Sequence, residues 1–302
     1  MDNHKNERII ITGAKGLVGT ALTKALLDLG FEVIPYKSRC DGKHCMNHET
    51  GTIDKDGLEG AYAVIHLAGE SIAQAWTNEA KNRIMSSRRD NTLLLANTLA
   101  HLKEKPKVLI SMSGISRYGL HRPEVLDETS PVMVDGFLSE VAEAWESSTI
   151  PCQQSGIRTV LLRTPMVLSA SEGGLSKMLP AFRLNLGGPI NGGAQKMSWI
   201  GLPDLVSLII WAMKSQSISG PLNAASPGVV SQAEFARALG AAVNRWAFIP
   251  MPGFAISLLF GQMGEETILG DLAVGPTKAL ASGFQFSTPD LPSALAQALQ
   301  SS

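Results

Sequence analysis

The 302-residue chain is 44% hydrophobic and 18% charged, long enough for about two domains or one domain with a substantial lobe. Its 26 Lys and Arg against 27 Asp and Glu leave a formal charge of −1, so no positive field gathers a polyanion and nucleic-acid binding is not expected. Apolar stretches such as 205–213 and 254–260 are shorter than the ~18 to 20 residues of a membrane span. The N-terminus lacks a signal-peptide core and three cysteines make no disulfide framework, so a soluble, cytoplasmic protein is expected.

In chain order, β-rich runs at 8–12, 32–36, 63–67, 107–111 and 158–162 alternate with helical patterns at 21–29, 78–102 and 137–148. Strand, helix, strand repeated in this way predicts a doubly wound, parallel α/β sheet of the Rossmann kind. From about Ser169 the texture becomes Gly- and Pro-rich, then helical at 204–213 and 231–244, the latter opened by a Ser231/Glu234 capping box. We read 1–168 as a nucleotide-binding domain to which 198–216 returns, and 169–302 as mainly a smaller C-terminal substrate-binding lobe.

The most informative string is ITGAKGLVG, which places Gly13, Gly16 and Gly19 directly after an apolar strand and at the start of a helix. The first glycine permits the tight turn and the second lets the backbone approach a pyrophosphate. The third allows close helix–strand packing, and the N–H groups of the helix start, from Leu17, Val18 and Gly19, meet the negative charge. A dinucleotide is therefore expected here. At the end of the second strand no carboxylate stands ready for a ribose 2′-OH; Lys37, Ser38 and Arg39 suit a 2′-phosphate, with Lys15 able to add to it, so NADP is expected over NAD. A solvated basic loop is the alternative.

TGAKGLVG (12–19), VIHLAGES (64–71), SSRRDNT (86–92), SMSGISRYG (111–119), LLRTPMVLS (161–169) and long strings at 173–200 and 223–240 together resemble the extended short-chain dehydrogenase/reductase superfamily. The resemblance is to its atypical branch of NAD(P)-dependent epimerase-family, YfcH-like proteins, and covers nearly the whole chain. It implies that Ser38 and Arg39 hold the adenosine phosphate, that Leu67 and Ala68 line the cofactor, that Arg88 approaches it from a helix, and that Val167 lies near the nicotinamide. Small or apolar residues at 67–69, Gly69 included, would let a flat cofactor lie against the strand ends.

Ordinary members of the superfamily use a Tyr whose pKa is lowered by a Lys four residues on. None of the three tyrosines here has that Lys, and Phe137 and Leu138 stand where the phenol is needed. Ser113 fits the serine position that orients a substrate oxygen, and Tyr118, with Arg122 as a cation, is the best remaining acid or base. Glu70 is a carboxylate that either orients substrate or ribose or is merely solvated. The expected activity is that of an oxidoreductase or epimerase on an unidentified small metabolite. The rival is an NADP-binding regulatory protein without turnover; relatives sometimes labelled SulA-type division inhibitors give that rival its concrete form.

Cys40, His44, Cys45 and His48 lie close together, but their spacing does not match common zinc modules and no metal is expected. The glycines of 187–193 read as a rim approaching a ligand, Asp204 as a helix cap, and the carboxylates of 261–271 as a solvated acidic face.

Overall fold

The computed structural model describes residues 7–38 and 42–300, with the side chain of Pro123 left out. The first half runs β1 (Arg8–Thr12), α1 (Leu17–Asp28), β2 (Glu32–Ser38), β3 (Cys45–Asn47), β4 (Thr52–Ile53), β5 (Ala63–His66), α2 (Asn78–Ala100), β6 (Val108–Gly114), β7 (His121–Leu126), α3 (Phe137–Ser147), α4 (Ile150–Gln154) and β8 (Arg158–Thr164). The second runs β9 (Met166–Leu168), α5 (Gly173–Arg183), β10 (Lys196–Met197), β11 (Trp199–Gly201), α6 (Leu202–Lys214), β12 (Gly220–Asn223), β13 (Val230–Ser231), α7 (Gln232–Ala242), α8 (Gly253–Thr267), β14 (Asp271–Val274), α9 (Thr277–Ala281) and α10 (Leu291–Gln300).

The main sheet has eight strands in the order β12-β8-β6-β5-β1-β2-β3-β4, parallel except for the β3–β4 hairpin. The continuous apolar run of β1 has its reason in this placement. Ile9 and Ile11 pack with Leu22, Leu26, Leu205 and Ile209 on the α1–α6 side, while Ile10 packs with Leu95, Leu99 and Cys152 on the α2–α4 side. A strand covered on both faces has no polar side to alternate with. Strand order reverses at β1, between β2 and β5, where an open α/β sheet leaves a crevice at its C-terminal edge.

After β9 the chain builds a second core from Leu168, Leu175, Phe182, Trp199, Phe235, Leu239, Leu291 and Leu295. It re-enters the first through α6 and then through β12, an edge strand of the main sheet beyond the 198–216 return. The capping box of α7 is formed: Ser231 Oγ accepts from Glu234 N–H and Ser231 N–H donates to the Glu234 carboxylate at 2.7 Å.

Three loop readings are corrected. Gly187, Gly188 and Gly193 meet protein, since a Cβ on Gly188 would lie 2.1 Å from the Ile249 carbonyl oxygen and one on Gly193 2.6 Å from Ala233 Cβ, and only Gly192 of the four faces open space. Asp204, 1% exposed, caps no helix of its own but accepts from the N–H and hydroxyl groups of both Ser287 and Thr288. Glu266 is not a solvated charge: its carboxylate accepts from Phe137 N–H and Leu138 N–H, so it caps α3 from a distant part of the chain.

Candidate active site

The glycine loop crosses the C-terminal end of β5, and its geometry separates the roles of its three glycines. Gly13 adopts φ +73°, and a Cβ there would stand 2.8 Å from Ala68 N and Leu67 C. Only glycine lets the turn pass that close. A Cβ on Gly19 would fall 2.2 Å from the Gly13 carbonyl oxygen, so this residue seats α1 on the loop. Gly16 is different: a Cβ would meet the Gly13 oxygen at an ordinary 3.5 Å, and the residue is exposed. It is the N-cap of α1, no side chain caps that helix, and no charge sits in its first turn. The start of α1, at Leu17, Val18 and Gly19, thus offers backbone donors to an anion in front of Gly16.

A buried polar chain stitches β1, β5 and α2 together beneath the loop. His66 is fully buried, with Nδ1 2.7 Å from Thr12 Oγ1 and Nε2 2.9 Å from Thr92 Oγ1, and Thr12 Oγ1 also accepts from Ala68 N–H. Burial, reinforced by the Arg88 charge, pushes the imidazole pKa down to about 4, so the ring is neutral. The neutral ring thus faces a threonine hydroxyl at each nitrogen, donating from one and accepting at the other.

The segment after β5 lies on α2. The Arg88 guanidinium packs against Gly69, whose Cβ would meet Cζ at 3.2 Å, and its other side lies 5.0 Å from the Trp145 ring of α3. Burial pushes Arg88 down to about 10, partly opposed by Glu70. Glu70 is held by Gln74 at 3.2 Å and by Arg83 at 3.6 Å, and its N–H donates to Ser87 Oγ.

Leu17, Val167 and Gly173 converge, since a Cβ on Gly173 would lie 3.7 Å from Leu17 Cδ2 and 4.0 Å from the Val167 oxygen. The start of α5 therefore lies against the glycine loop, next to β9. Lys37 and Ser38 are exposed at the end of β2, one step past the Thr12–Tyr36 pair, and Lys15 is exposed in the loop. Arg39 and Cys40 lie outside the described residues. Elements far apart in sequence thus bring Gly13–Gly19, Leu67–Glu70, Arg88 and Val167 to one edge of the sheet.

Tyr118 is corrected. Its phenol is fully buried, donates to Asn223 Oδ1 at 2.8 Å, and has the Arg163 guanidinium 4.7 Å from its ring. Burial raises its pKa despite Arg163, so it is neither exposed nor primed as a base. Arg122 reaches the Tyr118 carbonyl rather than its hydroxyl, and pairs with Glu124. Ser113 is 4% exposed and donates to Glu146 Oε1 at 2.8 Å. The same carboxylate takes both Nε and Nη2 of Arg163 at 2.8 Å, with Arg117 Nε at 3.5 Å. Sequence reasoning missed Glu146, Arg163 and Asn223; the one signal was a charge, Arg163, directly after the apolar run Val160–Leu162 of β8. Phe137 packs edge-on against Trp76 at 5.0 Å, fixing an apolar ring where a phenol would serve.

A Rossmann sheet with a glycine-loop crevice and a C-terminal lobe defines an extended short-chain dehydrogenase/reductase. The NAD dependent epimerase/dehydratase family matches residues 9–225, and a domain of unknown function, DUF1731, matches 251–298. The chain is 34% identical to the human epimerase family protein SDR39U1, covering 95% of this chain and 98% of that one, and 32% identical to YfhF of Bacillus subtilis, covering 96% and 97%. Human SDR39U1 (isoform 2), solved with NADPH, superposes with a TM-score of 0.89 at 33% identity, over 97% of this chain and 99% of that one. A nucleoside-diphosphate sugar epimerase from Corynebacterium glutamicum gives 0.80 at 31% identity, over 97% of this chain and 58% of that one. The protein belongs to the NAD dependent epimerase/dehydratase family, in its atypical SDR39U1-like branch. No helix among the described residues is long and apolar enough to cross a membrane.

Proposed function

We propose that the protein binds NADP(H) across the C-terminal edge of its sheet and acts as an oxidoreductase or epimerase on a small metabolite. The observation that carries this is the division of labour in the glycine loop. Gly13 and Gly19 are forced by the fold, whereas exposed Gly16, at an uncapped helix start, has space in front of it for a pyrophosphate. In this reading Leu17, Val18 and Gly19 bind the pyrophosphate, Leu67, Ala68 and Gly69 face the cofactor with Glu70 beside them, and Val167 closes the nicotinamide end. Arg88, braced between Gly69 and Trp145, supplies positive charge. Lys15, Ser38 and Arg39 take the 2′-phosphate, and the NADPH of human SDR39U1 supports that choice. Residues 1–168, joined by 198–216, form the cofactor unit, and most of 169–302 forms the substrate lobe.

When bound, NADP(H) would supply or accept a hydride at a substrate carbon. Ser113 positions the substrate oxygen by exchanging its bond to Glu146, and the proton is exchanged with water because Tyr118 is sealed. Following nicotinamide absorbance with NADPH and a panel of small carbonyl compounds tests this. Turnover that survives Tyr118→Phe and falls in Ser113→Ala is expected, and turnover lost in Tyr118→Phe alone overturns the proton assignment.

Binding without turnover is the second reading, favoured by Phe137 and Leu138 at the phenol position and by the sealed Tyr118. Absence of turnover across the panel, with NADPH binding intact, selects it.

A further inference from the structure

The lobe carries an exposed apolar surface that the cofactor site does not use. Two segments run side by side: Ile249 N–H donates to the Gly187 oxygen, Met251 N–H to the Pro189 oxygen and Trp246 N–H to Asn185 Oδ1. Together with the first half of α8 they present Trp246, Phe248, Phe254 and Leu258, flanked by Leu184 and Leu186, to solvent. Trp246 is 75% exposed, Phe254 74% and Leu258 82%. Trp246 and Phe248 meet edge-on with centroids 6.1 Å apart. Gly261, at φ +55°, breaks α8, so the segment before it is anchored through Ile256 and leaves its other side chains outward.

A run of large apolar side chains exposed to this degree marks an interaction surface, and its charges say of what kind. Stretches 181–191 and 243–264 contain Arg183 and Arg245, both exposed, and no Asp or Glu. Pairing the patch with a second copy brings only like charges together, whereas an anionic surface attracts both guanidiniums, Arg245 being held beside Arg183 by a hydrogen bond to its carbonyl oxygen, while taking up the aromatic and leucine side chains. Trp, Phe and Leu at the centre with Arg beside them is the composition of a segment that lies in a lipid interface.

We propose that this face, centred on Trp246, Phe254 and Leu258, docks the protein peripherally on an anionic phospholipid surface. The docking is independent of the cofactor reading, because none of these residues is placed in that site.

The test is co-sedimentation of the full chain with vesicles of phosphatidylcholine alone and of phosphatidylcholine mixed with phosphatidylglycerol. Binding to the mixed vesicles is expected, weakened by added salt, by about fivefold or more in Arg183→Glu or Arg245→Glu, and by about tenfold or more in Leu258→Glu. Leu258 and Arg183 are exposed, so an unchanged melting temperature certifies the fold of each variant. No vesicle binding overturns the proposal. So does equal binding to both vesicle types, or a concentration-dependent dimer that Leu258→Glu abolishes.

Discussion

Replacing Gly16 and Gly19 separately by alanine distinguishes a loop built for a ligand from one built only for the fold. At Gly19 the new methyl lands 2.2 Å from the Gly13 carbonyl oxygen and 2.7 Å from Ala14 Cα, both backbone atoms. Neither can rotate away, so α1 must shift by about 1 Å against Leu22 and Leu26 in the core, an overpacking cost near the top of the roughly 1–3 kcal/mol range. In a chain of this length, where 1 kcal/mol moves the midpoint by roughly 1.6 °C, that lowers the melting temperature by about 4–5 °C. At Gly16 the methyl has an ordinary 3.5 Å neighbour. The loss is that of a favourable N-cap residue, about 1 kcal/mol or less, and the melting temperature falls by no more than about 2 °C. The same methyl occupies the line along which the backbone approaches a pyrophosphate, and a steric cost of about 1–3 kcal/mol weakens NADPH between roughly fivefold and 150-fold. Thermal melts with and without NADPH, together with calorimetric titration, read both quantities. Gly16→Ala binding NADPH as well as the parent, or Gly19→Ala melting with the parent, refutes the assignment.

Tyr118→Phe leaves Asn223 Oδ1 buried without its 2.8 Å donor; a loss of about 1–3 kcal/mol in urea unfolding is expected, with NADPH affinity unchanged. Glu146→Gln strips Arg163 of its buried counter-charge and should cost about 3–5 kcal/mol in the same assay, far more than an exposed pair such as Arg83–Glu79. Folded His66 stays neutral to about pH 4, whereas the unfolded chain protonates it near 6.5, so the unfolded state binds the extra proton in between. Its contribution, roughly 3 kcal/mol, is complete above about pH 6.5 and is lost as pH falls towards about 4. Imidazole NMR signals of His66 that remain neutral at about pH 5, alongside falling stability, are expected; a titration near 6.5 contradicts the buried chain through Thr12 and Thr92.

What was legible in the sequence was what local pattern encodes. The Ile9–Ile11 triplet marked a strand, the glycines marked the turn and helix that follow it, and Ser231 with Glu234 marked a helix start. What stayed hidden depends on partners that only the topology brings together. Tyr118, in a turn-like RYG string, reads as accessible until Asn223 arrives on the edge strand β12. Ser113 reads as free until α3 delivers Glu146 and β8 delivers Arg163. Glycine is likewise ambiguous by itself: Gly16 and Gly188 look alike as letters, yet one faces open space and the other meets the Ile249 backbone.

We propose that the glycine crevice holds NADP(H) in preference to NAD(H). Calorimetric titration of the full, cofactor-stripped chain with NADPH and NADH tests it most directly. Tight NADPH binding and markedly weaker NADH binding, the difference narrowing by about 1–3 kcal/mol in Arg39→Ala, is the predicted result. Equal affinity for the two, or none for either, contradicts it.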